Sequence, residues 1–88
     1  MFVIEDDIHA DQMSKFEARA DALVELRRLA AIPWDQDPNT APCTNWRNCG
    51  REYRLIEYDT TTMPWREVAS TPALNISAAG MRWLLPEG

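Results

Sequence analysis

One stretch of this chain carries a helical period, and a proline closes it. At 100° per residue, Phe16, Ala20, Leu23, Leu26, Ala30 and Ala31 gather on one side, while Glu17, Asp21, Glu25 and Arg28 take the other. Arg19 and Arg27 fall inside the apolar arc, so their stems should lie along its edge with the guanidinium groups reaching water or an acidic partner. Ser14 followed by Glu17 has the spacing of a capping box and predicts the helix start. Pro33, which lacks an amide N–H and clashes with the preceding turn, predicts its end. The rest of the apolar residues must then be buried by strands.

Phe2 to Ile4 is short, apolar and β-branched at two positions, and predicts a first strand running into an acidic turn at Glu5, Asp6 and Asp7. Arg51 to Tyr58 (REYRLIEY) predicts a second strand, broken at Asp59 to Thr62. Trp65 to Val68 suits a short strand or a single helical turn. Leu74 and Ile76, then Met81, Trp83 and Leu85, alternate with small or polar residues around Ala78-Ala79-Gly80, the pattern of a hairpin whose glycine takes a positive φ. The expected fold is a single α+β domain over residues 1–88. It has a mostly antiparallel sheet of three to five strands, one amphipathic helix on one face and a long irregular loop after the helix.

The 88 residues carry 14 acids, nine Lys or Arg and a formal net charge of −5. Nine of the acids and only four of the bases fall in residues 1–42, which disfavours long-range attraction to nucleic acid. No apolar run approaches the roughly 18 residues that span a bilayer, and Met1 to Asp7 lack the segments of a signal peptide. The expectation is a cytoplasmic protein, monomer or homodimer, with no membrane segment.

From Pro33 to Gly50 runs PWDQDPNTAPCTNWRNCG, eighteen residues with three prolines and no usable period. Loops beyond about 12 to 15 residues are uncommon in compact domains and are usually functional or disordered. Two tryptophans and two cysteines argue against disorder. Trp34 and Trp46 suit pins that hold irregular chain to the body, or exposed contacts for a partner. Trp46, Arg47, Arg51, Tyr53 and Arg54 form a basic, aromatic cluster inside an acidic protein, suited to an anion, a carboxylate-bearing peptide or a single-stranded nucleic acid, or to ion pairing with the chain's own acids.

Cys43 and Cys49 form C-x5-C, while zinc normally requires four N or S ligands, commonly with cysteines two to four apart. His9 is the only histidine available as a third. A reversible disulfide is sterically open to them, and two thiols packed beneath the loop is the simpler alternative. Glu5, Asp6, Asp7, His9 and Asp11 invite a divalent cation, but they match no EF-hand and suit a solvated acidic turn better. No common nucleotide-binding or hydrolase motif is present, and no cofactor is implied.

The segment PWDQDPNTAPCTNWRNCGREY, residues 33–53, resembles segments of small uncharacterised bacterial proteins. That resemblance covers about a quarter of the chain and implies bacterial origin, with nothing on activity. The function expected is a non-enzymatic protein- or peptide-binding or regulatory module, using the loop 33–50 and the following strand through Trp34, Trp46, Arg47, Arg51 and Tyr53. The alternative is a metal- or redox-responsive protein centred on Cys43 and Cys49, with His9. A small enzyme using His9 with Asp7 or Asp11 is a third.

Overall fold

The computed structural model describes residues 1–8, 11–40 and 50–87. In chain order the elements are β1 (Phe2–Asp6), β2 (Asp11–Phe16), α1 (Arg19–Ala30), β3 (Gly50–Asp59), β4 (Arg66–Ser77) and β5 (Gly80–Trp83). The strands form one antiparallel sheet in the order β2-β1-β3-β4-β5, with α1 packed on one face. This is the expected α+β architecture.

Strand alternation divides the apolar residues between two faces. Ile4, Tyr53, Leu55, Leu74 and Ile76 lie in one cluster with Ala22, Leu26 and Leu29 of α1, closed by Leu85. Leu23, Ala30 and Trp34 pack partly buried against it, as do Phe2 and Phe16, which pair across β1 and β2. Val3 and Ile56 are also buried, at 1% and 5% exposure, but they pair with one another on the opposite face.

Arg19 and Arg27 reach past the helix edge as the sequence implies. Arg19 donates through Nε and Nη2 to the Glu87 carboxylate at 2.9 to 3.1 Å, and Arg27 donates to the Glu87 carbonyl and lies over the Trp83 ring. The positive φ of Gly80, +120°, after the two-residue Ala78-Ala79 turn is likewise as expected.

The helix start is not where the capping box places it. Ser14 lies in β2 opposite Ile4, and α1 begins five residues later behind Ala18, which makes no side-chain cap. A cap is worth about 1 kcal/mol. Pairing Asp11–Phe16 with β1 instead satisfies a whole row of backbone groups and sets Phe16 against Phe2, so the strand wins.

Two further expectations are corrected. The acidic turn begins later, because Glu5 and Asp6 belong to β1. Residues 66–77 form one continuous strand rather than a short element followed by a separate hairpin arm. Pro72 is tolerated there because β5 pairs with β4 only over Leu74–Ser77, leaving the outer edge of Arg66–Pro72 without a neighbouring strand among the described residues.

Candidate functional site

Two places in the fold concentrate polar and aromatic groups. The first is a buried network beneath the helix C-terminus. Asp6 is wholly buried, and its Oδ2 accepts from Arg51 Nη1 at 3.0 Å. Its Oδ1 accepts from the backbone N–H groups of Ile8 and Glu52. Arg51, 7% exposed, also donates to the carbonyls of Asn39 at 3.3 Å and Thr40 at 2.7 Å.

Asn39, equally buried, sends its Nδ2 to the carbonyls of Leu29 and Ile32 at 2.9 and 2.8 Å. The Leu29 carbonyl also accepts from the Ile32 amide, so these bonds tie Asn39 to the last turn of α1 and to the chain just beyond it. Asn39 Oδ1 in turn accepts from the Tyr53 hydroxyl at 2.7 Å. Burial pushes the Tyr53 hydroxyl up to about 12, with Arg51 opposing and Asp6 adding to the shift. Every polar atom named here is engaged, so the network ties β1, β3, the helix end and the chain at Asn39–Thr40 into one unit.

The second place is on the face opposite α1. Lys15, Val3 and Ile56 lie in register across β2, β1 and β3 on that face. At the far end of β3, Asp59 Oδ1 accepts from the Thr61 amide at 2.9 Å and its hydroxyl at 2.6 Å, and the Thr62 hydroxyl donates to the Pro64 carbonyl. These bonds shape the turn that carries Met63, Pro64 and Trp65, and the Thr61 bonds, with Arg66 behind them, hold Asp59 below the ordinary carboxylate range.

The turn brings Trp65 back over the sheet. Its ring lies 6.1 Å from that of Tyr58, tilted by 48°, and Lys15 Nζ stands 5.5 Å from its centroid. Val3, Gln12, Lys15, Tyr58, Met63, Pro64 and Trp65 together line a hollow of about 340 Å³. Burial raises the Tyr58 hydroxyl above its ordinary value, with the charges of Glu5 and Glu67 acting in the same direction.

Of the residues singled out from the sequence, Arg51 and Tyr53 come together, but in the interior. Arg51 pairs with Asp6 of the acidic first half, the ion-pairing alternative the sequence offers for this cluster, and with Tyr53 it is buried, so neither side chain is open to a partner as the binding reading expects. Trp34 stands apart from them, partly buried against the core and lining a separate hollow of about 270 Å³ with Ile76 and Met81. This is the pinning role. Asp6, offered as part of an acidic turn, is consumed by Arg51 and two amides. His9, Cys43, Trp46, Arg47 and Cys49 lie outside the described residues.

Lys15, Tyr58, Met63 and Trp65 match no site pattern in the sequence. The available signal was Met63-Pro64-Trp65, an apolar and aromatic run following four turn-forming residues, where a tight hairpin would have been polar. No helix among the described residues is long and apolar enough to cross a membrane. No protein-family model, curated protein or solved structure matches this chain.

Proposed function

We propose that this chain is a non-enzymatic binding module that recognises a segment of a protein or peptide partner in the hollow between Tyr58 and Trp65. The observation that carries it is the apolar lining left open there: Met63 is 86% exposed at the rim of a cavity walled by two tilted aromatic rings. Aromatic and methionine side chains are the anchors of recognition surfaces, and a hollow beside them seats one partner side chain. The surrounding sheet supplies rigidity, because Val3 and Ile56 beneath are fully packed. The bound segment is expected to be short, since about 340 Å³ holds one or two side chains.

The test is selection from a random-peptide library displayed against the full chain, followed by titration of the selected peptides into the Trp65→Ala and Met63→Glu variants. Selected peptides are expected to lose at least tenfold in affinity in both. Met63 is almost fully exposed, so its variant keeps the fold and isolates the surface effect. Peptides that bind all three proteins equally, or a library that yields none, would reject the hollow as the recognition site.

A further inference from the structure

We propose that the Tyr58–Trp65 hollow takes a cationic side chain of the partner, of the lysine or methylated-lysine type, and that Lys15 is its resident stand-in. The inference rests on the binding reading above and specifies its ligand. A ring face attracts a cation placed within about 6 Å of its centroid, and Lys15 Nζ already occupies that position over Trp65 at 5.5 Å. Lys15 enters no ion pair among the described residues, so the ring is its main tether and a better-seated cation displaces it.

The charge around the hollow favours the same sign. Glu67 stands directly opposite Tyr58 in the β3–β4 register, and Glu5 lies on the same sheet face. Neither carboxylate is in an ion pair among the described residues, and the field of both reaches the Tyr58 hydroxyl. Arg54, opposite Glu5, instead donates its Nε to the Ser70 hydroxyl at 2.8 Å and its Nη2 to the Ser70 carbonyl. The two acids thus share the face with Lys15 and with Arg54, whose guanidinium is turned to Ser70. An incoming cation gains from both carboxylates, whereas an anion would meet them, and the chain's net charge of −5 steers basic partners toward it.

Four probes of matched shape test this against the full chain: N-acetyl-lysine amide, N-acetyl-trimethyllysine amide, N-acetyl-norleucine amide and N-acetyl-glutamate amide. Binding is read from the Trp65 indole N–H resonance in two-dimensional NMR. The cationic amides are expected to shift it at millimolar concentration. Removing the resident ammonium in Lys15→Met and Lys15→Gln should tighten trimethyllysine amide about 3- to 10-fold, the range of one exposed to partly desolvated cation–π contact. Glu67→Gln should weaken it.

If norleucine amide binds either Lys15 variant as tightly as trimethyllysine amide, the cation assignment fails while the hollow stands as an apolar peptide site. If no probe moves the Trp65 resonance in any of the proteins, the cation assignment also fails. The binding reading is then judged separately, by whether library peptides depend on Trp65.

Discussion

Arg51 and Asp6 form an ion pair with 7% and no side-chain exposure, and at this scale the protein is least tolerant. A buried pair contributes little net stability, because desolvating both charges offsets their attraction, but stranding one charge is costly. Asp6 also satisfies two backbone amides, and Arg51 two carbonyls, so either truncation leaves several buried groups unpaired. Arg51→Met and Asp6→Leu are each expected to destabilise the chain by about 3 to 5 kcal/mol, a large part of the 5 to 15 typical of a domain. The measurement is urea unfolding followed by tryptophan fluorescence. Asp6→Leu combined with Arg51→Met should cost less than the sum of the two single losses. Additive losses would mean the pair is not the hub of the network.

The elements themselves were largely legible in the sequence, and where they were not, a non-local pairing decided. The amphipathic helix and its stop before Pro33 are local, and both appear in the structure, but the buried stripe is Ala22, Leu26 and Leu29, so Ala20 and Ala31 of the expected face are exposed and Phe16 lies in β2. The Ser14–Glu17 signal is equally local, but it lost to a pairing with β1 that only the tertiary fold supplies. Arg51 and Tyr53 have the composition of interface anchors. Composition cannot separate an anchor from a buried network whose partner, Asn39, is supplied by an irregular loop. Lys15 and Trp65 meet across 50 positions, so no spacing rule links them.

Gly50 shows the same dependence on pairing. At the loop's end it reads as turn chemistry, yet it is the first residue of β3, facing Ser77. A Cβ built there would lie 2.1 Å from the Ile76 carbonyl oxygen and 2.9 Å from the Ser77 Cβ. That oxygen belongs to the backbone of a paired strand, and it can move only if the start of the β3–β4 ladder opens. Gly50→Ala is therefore expected to cost about 1 to 3 kcal/mol in urea unfolding, where a surface glycine in a strand would gain from the change. Faster amide hydrogen exchange should appear at Ile76 and Ser77, and unchanged exchange there would place the clash elsewhere.

For the molecule as a whole, stability in alkali is set by a group at the junction of its parts. Tyr53 joins β3 to Asn39 and through it to the helix end, and its hydroxyl is pushed from the ordinary 10 up to about 12. The native state therefore holds a proton that the unfolded chain releases near pH 10. Between these values the unfolded state binds fewer protons, so the free energy of unfolding falls as pH rises. The Tyr53 contribution is complete below pH 10 and is lost progressively toward pH 12, amounting to about 2 kcal/mol at the upper end. Tyr58, shifted in the same direction but only partly buried, adds a smaller decline. Other groups titrate in this window, and Tyr53→Phe separates them. The variant gives up its bond to Asn39, which costs about 1 kcal/mol at pH 7, and its stability should then fall less steeply from pH 10 to 12 than that of the parent chain. Parallel declines in the two proteins, measured by urea unfolding at fixed ionic strength, would show that the Tyr53 proton is not what the fold retains.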